Sequence, residues 1–461
     1  MASSKLLPLR SGSSPVDQHP LMNPFPTARA ANPLGGSIQD YLTHPGPDLA
    51  DKAKAFCAWY DARVAQGGFP YGKQLLATPG AETSVQHADG QVTHGINFAS
   101  QDYLGLATHP AIREAALDAM DRYGVHSGGS PTLAGGVSLC EPLCELIGEY
   151  LQMPYVVLSP TGWAAGYGLL RGLVRETDHV VIDQLAHNCL HEGAAASTRQ
   201  VHVFRHLDVN HARLKLGAIR ARDPRGGILL VTESLFSMDA DSPDLAAFQR
   251  LCREFNAMLV VDVAHDFGCN GTDGTGELGR QGMLGKIDLV IGTFSKTFAT
   301  NGGFVATHRR EIREYLRHLS PSTTFSSAIS PLQVAIAHAA LQLVRSEEGA
   351  QRRRQLAGAV AVLREELSQR NIELMGRPAP MVPVLIGRDD VARTAVRLLA
   401  DAGVVTNLIE YPAVSRATAR FRLQVMSSHT PAMCRAAAAK VAQAITAARE
   451  LCSPAARAIA V

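Results

Sequence analysis

The residue with the clearest potential for covalent chemistry in this sequence is Lys296, a lone lysine on a turn rich in Ser, Thr and Gly. The turn follows the short apolar run Leu289 to Ile291, which is typical of a buried strand. Such a strand would present the amine at its carboxyl end, and a partly desolvated lysine forms Schiff bases with carbonyl compounds. From this stretch alone, a surface lysine in a turn explains the pattern equally well.

Asp262 and His265 form a second candidate group, three residues apart in Val-Val-Asp-Val-Ala-His at the end of an apolar run. A carboxylate in such surroundings is strongly destabilised unless it meets a cationic partner. A pyridinium nitrogen would supply that cation. A structural ion pair with an arginine is the alternative interpretation of Asp262.

Further polar groups follow other apolar runs. His187 comes soon after His179 to Asp183, although a single histidine is more often a hydrogen-bonded core residue than a catalyst. Ser237 follows another run and could equally cap a turn. The tight turn Ser159 to Trp163 opens a helix rich in Ala and Gly, so the first backbone amides of that helix are suited to binding a phosphate.

Short apolar runs deliver most of these residues to their places. Seven such runs lie between residues 155 and 307, with helix-length segments between most of them: Tyr155 to Ser159, His179 to Asp183, Val201 to Phe204, Gly227 to Ser234, Met258 to His265, Leu289 to Thr293 and Phe304 to Thr307. They predict an α/β fold in which a mostly parallel seven-stranded sheet is covered by helices on both faces. Ligands of such sheets bind at the carboxyl ends of the strands.

The sequence divides the chain into four parts. Residues 1–48 hold eight of the 25 prolines and predict a flexible Pro/Ser-rich N-terminal extension. Residues 49–98 indicate a helix, at Ala50 to Ala65, and a linking segment, and residues 99–340 a large α/β domain. Residues 341–461 combine long Ala/Leu/Arg-rich helices with short strands, which indicates a smaller C-terminal α+β domain.

Composition argues against several classes of protein. The 461 residues are 46% hydrophobic and 19% charged, with a net charge of +2, which is typical of a globular enzyme and gives no reason to expect a nucleic-acid partner. No apolar run is long enough to span a membrane. The eight cysteines show no CxxC pair and no zinc-like spacing, so we expect no metal site and a cytoplasmic location.

Taken together, the motifs resemble the α-oxoamine synthases, pyridoxal-phosphate enzymes of the aspartate-aminotransferase fold that include 8-amino-7-oxononanoate synthase, 2-amino-3-ketobutyrate ligase and serine palmitoyltransferase. The resemblance covers about residues 50–450 and rests on eight segments: Phe98 to Leu106, Ser127 to Ser130, Ser159 to Ala165, Asp183 to His187, Glu233 to Asp239, Asp262 to His265, Gly292 to Lys296 and Arg420 to Leu423. These matches are specific for the family and much less specific for the substrate.

The resemblance implies a role for each catalytic candidate. Lys296 would hold the cofactor in a Schiff base and would remove and return the Cα proton of the substrate. His187 would stack on the pyridine ring, and Asp262 would keep the ring nitrogen protonated. His265 and Ser237 would contact the phenolic oxygen.

The resemblance also implies binding residues. Those that match the family's remaining contacts with the cofactor are Gly162, Trp163, Glu233 and Thr293. Arg422 matches the arginine that pairs with the amino-acid carboxylate, which suits the bidentate geometry of a guanidinium, and Gln101 lies beside the acyl-group site. Ser326 and Ser327 would reach the cofactor phosphate of a partner subunit, which implies a homodimer with shared active sites.

The implied reaction joins a small amino acid (glycine, alanine or serine) to an acyl thioester of coenzyme A or an acyl carrier protein. Loss of the thiol and of carbon dioxide would leave an α-amino ketone. The alternatives are aminotransfer or decarboxylation on the same fold, and an inactive homologue that serves as a subunit.

Three positions depart from the family pattern. Gln101 replaces an asparagine, Pro131 stands where many members have arginine, and Glu410 occupies the position of an arginine that binds a substrate carboxylate in the oxononanoate synthases. An acidic group at position 410 should repel an acyl chain derived from a dicarboxylic acid.

Overall fold

The computed structural model describes residues 35–43 and 47–453. The N-terminal extension predicted over residues 1–48 therefore lies mostly outside the described residues. The helix predicted at Ala50 to Ala65 is present with those bounds. The segment that follows it, predicted as a linker, contains three strands between Gln74 and Phe98.

Strands and helices alternate along most of the described chain. In chain order the strands are β1 (Gln74–Leu75), β2 (Glu82–Gln86), β3 (Val92–Phe98), β4 (Tyr155–Ser159), β5 (His179–Asp183), β6 (Val201–Phe204), β7 (Ile228–Glu233), β8 (Met258–Asp262), β9 (Leu289–Thr293), β10 (Gly303–Thr307), β11 (Met381–Gly387), β12 (Val404–Ile409) and β13 (Ala419–Gln424). After a short 3-10 helix at Ile38–Tyr41, the α-helices are α1 (Ala50–Ala65), α2 (Pro110–Tyr123), α3 (Cys140–Leu151), α4 (Gly162–Leu173), α5 (Asn188–Ser197), α6 (Val209–Arg222), α7 (Leu245–Glu254), α8 (Gly276–Arg280), α9 (Arg310–Leu319), α10 (Pro321–Thr324), α11 (Pro331–Arg345), α12 (Glu347–Gln369), α13 (Asp389–Asp401) and α14 (Pro431–Leu451).

The larger sheet has seven strands in the order β4-β10-β9-β8-β7-β5-β6. Strands β6, β5, β7, β8 and β9 run parallel to one another, and β10 runs antiparallel to both β9 and β4. All seven strands fall on the apolar runs identified in the sequence. The predicted mostly parallel seven-stranded sheet is confirmed.

Alternate side chains of the central strands pack on opposite faces of this sheet. Val181 of β5 belongs to one buried cluster, whereas its neighbours Val180 and Ile182 belong to another. Strand β8 repeats the pattern, with Val261 in the first cluster and Val260 in the second. Both faces are covered, which explains why the runs are apolar throughout and do not alternate.

The smaller sheet has six strands in the order β1-β2-β3-β12-β13-β11. Its centre is a parallel pairing of β3 with β12, in which Ile96 lies opposite Val404. Residues from before and after the large sheet therefore share one sheet. The domain boundaries placed at residues 99 and 341 stay a prediction.

The length and hydropathy of a helix decide whether it could cross a membrane. Within the described residues, no helix combines the length and the sustained apolar character of a membrane-crossing helix.

Candidate active site

The carboxyl ends of the parallel strands border a cavity of about 240 Å³. Eight residues predicted from the sequence to be functional meet on its wall: Gly162, Trp163, His187, Glu233, Asp262, His265, Thr293 and Lys296. They converge because the carboxyl ends of neighbouring parallel strands lie at the same edge of the sheet. We call this space the strand-end cavity.

A second cavity, of about 900 Å³, adjoins the strand-end cavity. Ser295, Lys296 and Asn301 line both, so Lys296 lies at the junction. Gln101 and Arg422, both predicted to contact substrate, line the second cavity. We call this space the large cavity.

Asp262 is a buried carboxylate on the wall of the strand-end cavity. Its Oδ1 accepts a hydrogen bond from the Ala264 amide at 2.9 Å. Burial raises the pKa of Asp262, while Lys296 and His187 act in the opposite direction without forming an ion pair with it in the described part of the chain. Among the described residues the carboxylate thus lacks a close cationic partner, which makes its ionised form costly.

Glu233 lies beside Asp262 and is also buried. Its Oε1 accepts a hydrogen bond from the His187 amide at 2.5 Å. Burial and the neighbouring Asp262 raise the pKa of Glu233 well above its ordinary value, which favours the protonated carboxyl. Glu233 therefore fixes the backbone of the turn that presents His187.

The imidazole of His187 is held at the start of α5, where its Nδ1 accepts a hydrogen bond from the Cys189 amide at 3.3 Å. Burial lowers the pKa of His187. A neutral ring with an acceptor at Nδ1 carries its proton on Nε2. His187 thus offers a neutral aromatic face to the cavity.

Lys296 follows β9 on a turn and is half-buried. Burial lowers the pKa of Lys296, and the carboxyl groups of Asp262 and Glu233 partly oppose that shift. A lower pKa increases the fraction of neutral amine, which is the nucleophilic form. The side chain is therefore suited to covalent chemistry with a carbonyl group.

His265 is held by a tyrosine that the sequence motifs contain but that was not predicted as a site residue. The hydroxyl of Tyr103 lies 2.9 Å from His265 Nδ1 and donates to Gln424 Oε1 at 3.2 Å. Burial, with Lys296 as a second cause, lowers the pKa of His265 well below its ordinary value, so the ring is neutral. Tyr103 connects this ring to β13 of the small sheet.

The start of α4 forms a cradle without side chains. A Cβ on Gly162 would lie 2.5 Å from Thr293 Cβ, so only glycine fits at this point. Thr161 caps the helix by accepting a hydrogen bond from the Ala164 amide at 3.0 Å. The hydroxyl of Thr293 donates to the Gly302 carbonyl at 3.1 Å. Gly162 and Trp163, the first residues of α4, line the cavity, at the end of a helix where backbone amides can bind a phosphate.

Arg422 lies on β13 and lines the large cavity together with Lys296. Its Nη1 approaches the sulfur of Met238 at 3.6 Å, and its buried Nε has no hydrogen-bond partner within the described residues. Burial lowers the pKa of Arg422, although a guanidinium remains charged at neutral pH. A half-buried cation without a carboxylate partner is suited to an anionic ligand.

The family of the protein is shown by a sequence comparison. A model of the aminotransferase class I and II family matches residues 93–441, which is most of the chain. The chain belongs to this family.

Two curated relatives and one solved structure refine the assignment. The 8-amino-7-oxononanoate synthase of Geobacter sulfurreducens is 33% identical over 357 residues, which cover 77% of this chain and 90% of that protein. The enzyme of the same name from Klebsiella pneumoniae is 34% identical over 72% of this chain and 85% of that protein. Sphingomonas wittichii serine palmitoyltransferase has the same fold, with a TM-score of 0.81, 24% identity and coverage of 87% of this chain and 99% of that one.

The chain is a pyridoxal-phosphate-dependent α-oxoamine synthase, an acyltransferase. The residues of this α-oxoamine synthase fit the cofactor. Asp262 lacks the close cation that a protonated ring nitrogen would supply, and Lys296 has the lowered pKa that reaction with an aldehyde requires. Gly162 and Trp163 bring the start of α4 to the cavity wall, and the start of a helix is suited to a phosphate.

Three predicted residues of the α-oxoamine synthase lie away from both cavities. Ser237 lines neither cavity, and its contact with the cofactor stays a prediction. Ser326 and Ser327 also line neither; they follow Phe325, whose side chain is 88% exposed. Their contact with a partner subunit stays a prediction.

The interpretation of Glu410 as a charge that faces the substrate is contradicted by the structure. Glu410 is buried, and its Oε2 accepts a hydrogen bond from Arg393 Nε at 2.6 Å. Its Oε1 lies 3.9 Å from Arg63 Nη2. Arg63 is far away in the sequence, so no local pattern could have revealed that this carboxylate is neutralised inside the protein.

Proposed function

We propose that this α-oxoamine synthase condenses a small amino acid, glycine, alanine or serine, with an acyl thioester. A Cα–C bond forms to the acyl carbon as its C–S bond breaks, and the thiol leaves with a proton. The amino-acid carboxyl group leaves as carbon dioxide, and Cα regains a proton. The product is an α-amino ketone.

The cofactor chemistry proposed for the strand-end cavity depends on two residues. When bound, pyridoxal phosphate supplies an electron sink for the electrons left on Cα when its proton is removed. Asp262 would hold the ring nitrogen in its protonated form, because a buried carboxylate favours a cation at hydrogen-bonding distance. Lys296 would hold the cofactor and then carry the Cα proton, for which its lowered pKa is suited.

The observation that carries the proposal is the large cavity at Lys296. It has about 900 Å³ of space and an arginine, Arg422, whose buried Nε has no hydrogen-bond partner among the described residues. Arg422 would bind the carboxylate of the amino acid and orient its Cα–H bond toward Lys296. The remaining space would admit a second substrate, which a condensation needs and a simple decarboxylation does not.

The synthase would work as a homodimer. Exposed apolar side chains beside the predicted partner contacts support this part of the proposal: Leu133 is 83% exposed and Phe325 is 88% exposed. Burial of such side chains against a second subunit would stabilise the dimer. Ser326 and Ser327 would then approach the phosphate in the partner's strand-end cavity.

The test is a matrix of substrates. The purified holoenzyme is mixed with glycine, alanine or serine and with acyl-coenzyme A of graded chain length, and thiol and carbon dioxide are measured in parallel. We expect one pair to release both in equal amounts, and only when both substrates are present. Carbon dioxide without a thioester, or a keto acid formed from the amino acid, would replace this proposal with decarboxylation or aminotransfer.

A further inference from the structure

The large cavity contains one cation more than the proposed reaction uses. Its lining residues with a charged side chain are Lys73, Asp102, Lys296 and Arg422. In the proposed reaction Lys296 is occupied by the cofactor and Arg422 by the amino-acid carboxylate. Lys73 has no assigned partner.

The acidic residue on this wall does not neutralise Lys73. Asp102 is buried, and its two carboxylate oxygens accept hydrogen bonds from the Leu106 amide at 2.8 Å and the Ala107 amide at 3.0 Å. Both oxygens are therefore engaged by the backbone. Within the described residues, Lys73 forms no ion pair with Asp102 or any other carboxylate, and its Nζ donates only to the Pro70 carbonyl at 2.6 Å.

Glu410 does not supply the missing charge either. Its neighbour Ile409 lines the large cavity, but Glu410 is absent from the lining and is paired with Arg393 and Arg63. Tyr71 also forms a hydrogen bond with Glu410. The carboxylate is thus neutralised by two arginines that do not line the cavity.

The same contact fixes the position of Lys73. Tyr71 lies two residues before it, on a segment that lines the large cavity from Pro70 to Lys73. Because Tyr71 is tied to the buried Glu410, the segment beside Lys73 is anchored to the residue that follows β12. A half-buried ammonium on an anchored segment is pre-organised for a ligand, which reduces the entropic cost of binding.

We propose that Lys73 binds a negatively charged group, a carboxylate or a phosphate, of the acyl thioester in the large cavity. The inference rests on the proposed function, because it assigns Lys296 and Arg422 to the cofactor and the amino acid. The charge has two possible sources: a carboxylate at the far end of the acyl chain, and a phosphate of the thiol carrier. Either would make Lys73 a residue that selects the acyl donor.

Four non-reactive thioether analogues separate the two sources. Two are coenzyme A thioethers of equal chain length that end in a methyl group or a carboxylate, and two are the corresponding pantetheine thioethers without phosphate. Their binding to the holoenzyme is measured by calorimetry for wild type, Lys73→Met and Lys73→Arg. Lys54→Met is the control, because Lys54 is exposed on α1 and pairs with Asp51 at 3.0 Å.

Lys73→Met should weaken binding of the charged analogues by about tenfold, an effect between those of exposed and buried ion pairs. Lys73→Arg should retain most of the wild-type affinity. A loss confined to both carboxylate-ended analogues assigns Lys73 to the acyl chain. A loss confined to both coenzyme A analogues assigns it to the carrier phosphate. Equal losses for all four, or no loss for any, would overturn the proposal.

The binding assay also separates this inference from the proposed function. If no amino acid and thioester pair releases thiol from the wild-type enzyme, the proposed reaction is lost. The calorimetric comparison still decides whether Lys73 binds an anion. Unchanged cofactor absorbance in Lys73→Met would show that the variant retains its strand-end cavity.

Discussion

Glu233 lies directly opposite Asp262 in the register between β7 and β8. Two buried carboxyl groups therefore lie side by side at one end of the strand-end cavity, and burial raises the pKa of each. Two adjacent carboxylates without a cation disfavour simultaneous ionisation. The pair is suited to one proton on Glu233 and one charge on Asp262 that meets the ring nitrogen of the cofactor.

This division of charge predicts different effects of two conservative changes. Asp262→Asn should weaken pyridoxal-phosphate binding by about a hundredfold, since removal of one partner of a buried ion pair costs roughly 3 kcal/mol or more. Glu233→Gln should leave affinity within about threefold, because an amide resembles the protonated carboxyl and its oxygen still accepts from His187. Fluorescence titration of the apoenzyme measures both. Equal effects would refute the assignment of the charge to Asp262.

The same pair predicts how the apoenzyme responds to pH. The folded-state pKa of Asp262 is raised, so its contribution to stability is fully present below the unfolded pKa and is lost as pH rises through the folded value. At neutral pH Asp262→Asn should therefore unfold at a higher temperature than wild type when both lack cofactor. Calorimetric melting of the two apoenzymes from acidic to neutral pH tests this. The expected gap between them grows with pH, and a gap that shrinks would contradict the prediction.

Replacement of Lys296 should show whether covalent attachment of the cofactor and release of thiol depend on the same residue. Lys296→Ala should lose the covalently held cofactor and slow thiol release by about a thousandfold or more, the range expected for loss of a general base. Borohydride reduction followed by mass spectrometry detects covalent attachment. Lys286→Ala is the control, because Lys286 is exposed and its Nζ donates only to the Gly282 carbonyl. Retained thiol release in Lys296→Ala would remove Lys296 from the mechanism.

The proposed role of Lys73 predicts a pH dependence. Burial lowers the pKa of Lys73 to about 8, so selection of an anionic donor over its uncharged counterpart should be constant below that pH and decline above it. His87 lies near Lys73, but burial and Lys73 lower its pKa, so it is neutral over this range. Lys73→Arg should keep its selectivity at higher pH. The measurement is the ratio of the KM values of the two donors as a function of pH. The titration of Lys296 affects both KM values equally and therefore cancels in the ratio. A ratio that does not depend on pH in the wild-type enzyme would contradict the prediction.

Because Glu410 is buried, we predict that its replacement changes the stability of the protein. We expect no change in how strongly the protein repels a negatively charged substrate. Glu410→Gln should lower the free energy of unfolding by about 3 kcal/mol or more, because Arg63 and Arg393 would lose this carboxylate. Urea denaturation measures the loss. Glu314→Gln is the control, since Glu314 belongs to a partly exposed pair with Arg313 at 3.4 Å and should change stability by less than about 1 kcal/mol. A lower KM for dicarboxylate-derived donors in Glu410→Gln would restore the interpretation of Glu410 as a repelling charge.

The sequence could predict the large sheet because its strands are buried on both faces and read as uninterrupted apolar runs. The candidate catalytic residues follow from those runs, since each lies at, or shortly after, the carboxyl end of a strand. The strands β2 and β3 were missed because polar residues such as Thr83, Ser84 and His94 interrupt their apolar pattern. Lys73 and the partners of Glu410 were missed for a different reason. Their significance depends on contacts between residues far apart in sequence, to which no periodicity or motif corresponds.

The parallel pairing of β3 with β12 has a consequence for biosynthesis. A ribosome releases β2 and β3 early, but the strand that completes their sheet, residues 404–409, emerges only near the end of translation. Until then the nascent chain carries an open β3 edge of the kind that invites aggregation. The wall of the large cavity includes Val85 on β2 and Val405 on β12, so the pocket proposed for the acyl donor is among the last parts of the molecule to form.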